Sequence, residues 1–223
     1  MGKMGIRVFL YLLGLLLLAL GITLNTAANL GVSPIISVAY AVSEIKSYSF
    51  SDMTFLLYSF FVIVEMLIHL VMKKPRLIIA DLSQVAVTLI FTRILRAFEI
   101  LKSYLPEHIS ALAFNYLPFQ LAVLTAGIIF TGIGAALSIN MRIAANPGDG
   151  IVQTLSDLTG VGTGLVKNLF VSGCVLTACL ISYVMSGEIV GIGIGTLIAM
   201  FGVGRVIALF NRISGTDKYA ELK

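Results

Sequence analysis

Leu30-Gly31-Val32-Ser33-Pro34 and, 113 positions further on, Ile143-Ala144-Ala145-Asn146-Pro147-Gly148-Asp149-Gly150 are the two stretches that decide how this chain is read. The offset that lays Ser33-Pro34 on Asn146-Pro147 also lays Gly14 on Gly127, Gly21 on Gly134 and Ser43 on Ser156. Over residues 14–72 the ungapped comparison gives twelve identities. Most are apolar letters that any two membrane spans share, so the glycine and proline matches carry the case for an internal repeat. Each copy opens on a long apolar run, breaks at a proline and continues as a short helix. Interrupted helices at matching places in two halves of a chain are how transporters build solute and ion sites inside a bilayer.

Composition sets the environment. With 58% hydrophobic and 12% charged residues and a mean hydropathy of +1.02 over 223 residues, the chain is far from a soluble domain, where roughly 25% charge is usual. Several runs approach the ~20 apolar residues that a helix needs to cross a ~30 Å hydrocarbon core. They are continuous, whereas barrel strands alternate over about ten residues. An all-α polytopic membrane protein is expected, with lipid as its solvent. The net charge of +4 comes from helix ends and tails, with no basic stripe interleaved with aromatics, so no nucleic-acid partner is expected. Cys174 and Cys179 lie apart on the surface of one apolar helix, which suits neither a disulfide nor a metal site. No Gly-x-Ser-x-Gly, His-Glu-x-x-His or P-loop occurs, and His69 and His108 are the only histidines. No enzyme, cofactor or built-in nucleotide motor is therefore expected. Lys3 and Arg7 ahead of the apolar run from Val8 to Leu24 resemble a signal peptide, but that run matches an internal helix of the second copy, so a retained first span is expected.

The first repeat, 1–97, reads as spans at 7–29, 53–73 and 77–97 with a short helix at 34–46. A polar hinge at 98–117 carries Glu99, Lys102, Pro106, Glu107 and His108. The second repeat, 118–215, reads as spans at 120–141, 163–187 and 189–210 with a short helix at 147–158, and 216–223 is a polar tail. Twelve or so residues rise roughly 18 Å, too little to cross. The expectation is six transmembrane helices plus two short half-helices. Three spans per copy is an odd number, which turns the copies over and makes a 3+3 inverted repeat. Placing Lys3 and Arg7 inside also places Lys73, Lys74, Arg76, Arg142, Arg212 and Lys218 inside, with both termini cytoplasmic. Arg93, Arg96 and Lys102 then fall outside, against the rule. An eight-span count repairs those three but exports the Lys73 cluster, so six spans are preferred.

Asn146 is a preferred N-cap, Pro147 sits at the first helical position and Asp149 stands near the positive helix end. Ser33-Pro34 reads as the same device without the acid. Two readings stay open: half-helix starts that aim free N–H groups into a shared polar cavity, or helices that begin at the membrane surface. Glu65 falls near the middle of its span, where an acid costs about 2.5 to 3.5 kcal/mol on insertion scales. Tyr58 and His69 share its helix face, and the matching residues Val171, Ala178 and Ser182 do not repeat that face. A proton-linked or substrate-contacting role for Glu65 is set against a buried structural pairing. His69 reads as a satisfied side chain at the interface. Asp81, Ser83 and Gln84 either line a cavity or solvate a helix end. Arg142 either binds an anion or marks the inside, and Lys167 and Arg205 read as snorkelling side chains. Gly187, Gly191 and Gly195, at fourth-residue spacing, read as a helix ridge for close packing, sliding or a homo-oligomer contact. The substrate-binding set is Ser33, Pro34, Glu65, Asp81, Arg142, Asn146, Pro147 and Asp149.

The two opening stretches also resemble the bacterial YczE/YyaS/YitT family of integral membrane proteins, over nearly the whole chain. The resemblance implies a bacterial cytoplasmic membrane and supplies no catalytic residue. Ile36 occupies the position that matches Asp149, so the two half-sites are unequal. The leading expectation is a transporter or channel for a small polar or anionic solute, secondary or passive. The alternative is a membrane regulatory or scaffold protein that binds partner proteins and moves nothing.

Overall fold

The computed structural model describes residues 3–104 and 116–214. Residues 105–115, which include Pro106, Glu107 and His108 of the expected hinge, and the tail from 215 lie outside the described residues. Within them the chain forms eight α-helices and one 3-10 turn, with no strand. The helices are α1 Lys3–Ala27, α2 Ser37–Lys46 preceded by the 3-10 turn Pro34–Ile36, α3 Phe50–Val71, α4 Pro75–Ser103, α5 Leu117–Met141, α6 Pro147–Thr159, α7 Thr163–Ser186 and α8 Ile194–Ser214.

Six of these, α1, α3, α4, α5, α7 and α8, are long and apolar enough to cross a membrane. Their faces are arranged for lipid. On α3, Leu56, Phe60, Ile63, Leu67 and Leu70 form an exposed stripe, each more than half accessible, while Tyr58, Glu65 and His69 on the opposite stripe are buried. A soluble helix would have these faces reversed. In lipid the apolar stripe needs no cover, and the polar groups must find protein partners. The chain is an integral membrane protein.

Two compact units interleave the halves of the sequence. One comprises Met1–Ser33, Ile94–Ile143 and Gly191–Lys223, so far as these are described, and the other Pro34–Arg93 and Ala144–Val190. In the first unit α1 and α5 run antiparallel: Arg7 Nη2 donates to the Met141 carbonyl at 2.7 Å, and Asn25 Nδ2 reaches Thr131 Oγ1 at 3.5 Å. The glycines that match across the two copies meet along this seam. A Cβ added to Gly14 would stand 2.9 Å from the Gly134 carbonyl oxygen, and one on Gly21 would stand 2.7 Å from that of Gly127. Small residues let the backbones touch, which is how helices gain packing energy where no hydrophobic effect drives them together. α8 lies on α5 over an apolar cluster of Ala28, Leu124, Ile128 and Ala199.

The loop after α1 is held by backbone pairing. Gly195 N–H donates to the Leu30 carbonyl at 2.7 Å, and Val32 N–H donates to the Gly191 carbonyl at 3.0 Å and to Thr196 Oγ1 at 3.1 Å. Gly31, at φ 123°, lies against Thr196, a conformation and a space closed to other residues. This corrects the expected glycine ridge. Gly187 and Gly191 both have φ 76° and lie outside any helix, and α8 begins only at Ile194, so the three glycines share no helix face. α4 continues to Ser103, into the stretch read as a hinge.

The second unit holds α2, α3, α6, α7 and α4 as far as Arg93. α2 packs on α3 and α7, and α6 packs on the same two helices. α6 has 13 residues, about 20 Å at 1.5 Å per residue. The two short elements open differently. Asn146 caps α6 through its side chain, whereas Pro34 leads into a 3-10 turn and α2 starts without a side-chain cap. There Ser37 Oγ donates back to the Pro34 carbonyl at 2.7 Å.

Candidate functional site

Polar residues on α3, α4 and α6 meet in three successive layers. α3 buries Tyr58, Glu65 and His69 at helical spacing, α4 buries Asp81, Gln84 and Thr88, and α6 buries Pro147, Gly150 and Thr154. Glu65 and His69 are four residues apart on α3, Asp81 and Gln84 three apart on α4 and Gly150 and Thr154 four apart on α6, so successive turns of each helix build the middle and third layers, while Tyr58 lies two turns before Glu65.

In the outer layer the Tyr58 hydroxyl is hydrogen-bonded to the Asn146 side chain, and its ring stacks on Phe91 with centroids 5.8 Å apart. In the middle layer Gln84 Nε2 donates to Glu65 Oε2 at 2.7 Å. The other oxygen of each side chain, Glu65 Oε1 and Gln84 Oε1, is buried and has no protein partner. Glu65 is 1% and Gln84 4% exposed, so both side chains are buried within the protein. Gly150 closes this layer: a Cβ there would lie 2.8 Å from Gln84 Oε1 and 2.9 Å from Glu65 Oε1. In the third layer His69 Nδ1 and Asp81 Oδ2 are 2.7 Å apart, and His69 Nε2 lies 3.4 Å from Thr154 Oγ1. The imidazole thus links the α4 acid to α6. His69 is buried and satisfied by Asp81 and Thr154, and Asp81 lies inside the unit, not in a solvated helix end. Ser83 is exposed and takes no part.

The starts of the two short elements also meet. A Cβ on Gly148 would stand 3.0 Å from Ile35 Cγ2, next to Pro34. The free donors expected at the α6 start are not free, however. Asn146 Oδ1 accepts from Gly148 N–H at 3.1 Å, and the Asn146 carbonyl accepts from Asp149 N–H at 2.9 Å and Gly150 N–H at 2.8 Å. Pro147 has no N–H to offer. One residue therefore satisfies the whole first turn. Asp149 pairs with Lys167 Nζ at 2.9 Å, which replaces the snorkelling reading of that lysine with an ion pair between α6 and α7.

Of the sequence-derived set, Pro34, Glu65, Asp81, Asn146, Pro147 and Asp149 belong to the second unit. Ser33 and Arg142 belong to the first, where Arg142 is the exposed, left-handed C-cap of α5 at φ 48°. Gln84, Gly150, Thr154 and Lys167 complete the cluster and were not in that set. Gln84 falls three residues after Asp81 on one α4 face, and Thr154 four after Gly150 on one α6 face, so the helical period was the available signal. Among the described residues no group of three or more His, Cys, Asp or Glu is placed to hold a metal ion.

A family of unknown function, DUF6198, matches residues 5–212. The chain belongs to that family. The DUF6198 match spans all six apolar helices and the three polar layers, so both units are part of what the family shares in extent. No curated protein and no solved structure matches the chain.

Proposed function

We propose that this protein is a secondary or passive transporter or channel for a small polar solute, built as a 3+3 inverted repeat in a bacterial cytoplasmic membrane with both termini cytoplasmic. The observation that carries the reading is the stack of buried polar layers on α3, α4 and α6. Ionisable groups inside a span are costly and are, by default, candidates for solute or ion paths. Inertness would be met more cheaply by apolar residues of similar size.

The repeat is supported by helix partners. The two first spans, α1 and α5, are antiparallel and meet through equivalent glycines. Each short helix packs on the third-placed helix of both copies, α3 and α7. An odd number of spans per copy then turns the second half over, and the short helices enter from opposite sides with their proline starts converging at Ile35 and Gly148. Because the α6 donors are capped and Glu65 and Asp81 are acids, a neutral or cationic polar solute suits this site better than an anion. The likeness to the YczE/YyaS/YitT family agrees with the membrane setting and adds no substrate.

Metabolite profiling of a strain lacking the protein would nominate solutes, and uptake into vesicles containing purified protein would test them. Wild-type protein is expected to carry one of them and Asp149→Asn to insert normally but carry it at least tenfold more slowly. Normal flux in Asp149→Asn removes Asp149 from the site. Absence of any flux, with partner enzymes co-purifying, favours the regulatory or scaffold alternative.

A further inference from the structure

The two unpartnered oxygens of the middle layer point to a specific occupant. Glu65 Oε2 already accepts from Gln84 Nε2 at 2.7 Å. Glu65 Oε1 and Gln84 Oε1 are both within 2.9 Å of one point above the Gly150 Cα, and neither meets a donor. Two buried acceptors held side by side without a protein donor are costly, each comparable to a lost hydrogen bond and more so for a charge. A single proton on Glu65 Oε1 removes both defects. The new O–H donates to Gln84 Oε1, and with the existing N–H···O bond the side chains close a cyclic acid–amide pair. We propose that Glu65 and Gln84 form a proton site, in which the pair is closed when Glu65 carries a proton and opened when it does not, and that this proton is the coupling ion of the transporter. The second clause rests on the transport reading above; the first does not.

The surroundings fit a group that gains and loses a proton. Gly150 leaves room on the α6 side for the ring to close and open, since any Cβ would press on three of its four polar atoms or on their immediate neighbours. One turn along, the His69–Asp81 pair stands between this layer and the α3–α4 turn at Lys73 and Lys74, and imidazole is suited to relay protons. The titratable and charged groups on the elements of this unit around Glu65 are Asp52, Tyr58 and His69 on α3, Arg76, Asp81 and Arg93 on α4 as far as Arg93, Asp149 and Asp157 on α6, Lys167, Cys174, Cys179 and Tyr183 on α7, and Tyr40, Glu44 and Lys46 on α2. Asp81 and Asp149 each have a cationic or protonatable partner in His69 and Lys167. Glu65 has an amide instead, which leaves the proton as the species that can neutralise it.

Infrared difference spectroscopy of the full chain in lipid vesicles tests this directly. At neutral pH the wild type is expected to show the carbonyl stretch of a protonated, hydrogen-bonded carboxyl, shifted in D2O and lost on alkaline titration. Glu65→Gln, which keeps a cyclic amide–amide pair and so keeps the fold, should lose the band. Gly150→Ala should shift it by forcing the ring apart. A band that persists in Glu65→Gln belongs to another acid and overturns the proposal. So does a Glu65 that is ionised throughout, or one whose band is displaced by sodium or potassium at constant pH, which would make the occupant a metal cation. The transport reading fails separately: a Glu65 band without flux of any solute keeps the proton site and removes the coupling role. Solute flux indifferent to a pH gradient, with the band present, removes the coupling role alone.

Discussion

The α1–α5 seam yields a quantitative prediction, because its close approach depends on backbone meeting backbone. A Cβ on Gly134 would fall against Leu18 N, with the Gly14 carbonyl oxygen at 2.6 Å and Leu18 Cα at 2.8 Å. None of these atoms can rotate away. Relaxed contacts lie near 3.5–4.0 Å, so Gly134→Ala must part the helices by roughly 1 Å and loosen the neighbouring Gly14, Gly21 and Gly127 contacts with them. Overpacking of this kind costs about 1–3 kcal/mol, offset by up to about 1 kcal/mol because alanine is the better helix former. The net loss is about 1–2 kcal/mol, or an apparent Tm lower by about 2–8 °C for a chain of this size. Gly173→Ala on α7 is the matched control, since a Cβ there meets nothing within 4 Å; it should be neutral or stabilising. Far-UV circular dichroism on heating in detergent, with the monodisperse fraction after each step, reads both. A Gly134→Ala protein that melts at or above the wild type, or a Gly173→Ala protein that falls as far, would show that the seam does not depend on glycine contact.

The remaining predictions concern polar contacts. His69→Ala leaves Asp81 buried without its 2.7 Å partner and should cost about 3–5 kcal/mol, whereas joint replacement of both by leucine should cost far less; paired melting curves separate these. Thr196→Val removes a hydroxyl that accepts from Val32 N–H at 3.1 Å and from Gly193 N–H at 3.4 Å; Val32 N–H keeps the Gly191 carbonyl, so the loss should be about 0.5–1.5 kcal/mol, with Thr196→Ser restoring the wild-type melting point. Lys167→Met breaks the pair with Asp149, whose side chains are 38% and 27% exposed, so the stability change should stay below about 1 kcal/mol. Any larger fall in solute flux than in melting point would then report on the site and not on folding.

Much of the fold was legible in the letters, and the reasons differ by element. Long uninterrupted apolar runs mark spans because lipid tolerates nothing else, and the ends found for α3, α5 and α7 lie within three residues of those read from the sequence. The start of α8 was placed too early because Gly187, Gly191 and Gly195 satisfy a helical spacing. Only their backbone angles reveal that two of them shape a turn that receives Val32. Asn146 was readable as a cap, but not that its side chain and carbonyl together take three N–H groups and leave none for a ligand. The face of Tyr58, Glu65 and His69 followed from the 3.6-residue period. Their partners did not, because Gln84, Asp81 and Thr154 stand 12 to 85 positions away and are chosen by how α4 and α6 lie against α3.

Under the proposed repeat, the two halves share a scaffold and divide its use. At the positions equivalent to Glu65, His69, Asp81 and Gln84 the second copy has Ala178, Ser182, Ile194 and Leu197, and where Gly150 borders the acid–amide pair the first copy has Ser37, whose hydroxyl is spent on Pro34. Under the proposed repeat, duplication would account for the glycine seam and the paired short helices, but not for the Glu65–Gln84 and His69–Asp81 pairs, whose members all lie on α3 and α4 of the first half. A feature retained in one copy alone is not a requirement of the fold. Its cost within the membrane has to be set against something the scaffold does not itself provide, and the proposed proton site at Glu65 and Gln84 would account for the two oxygens that packing leaves unsatisfied.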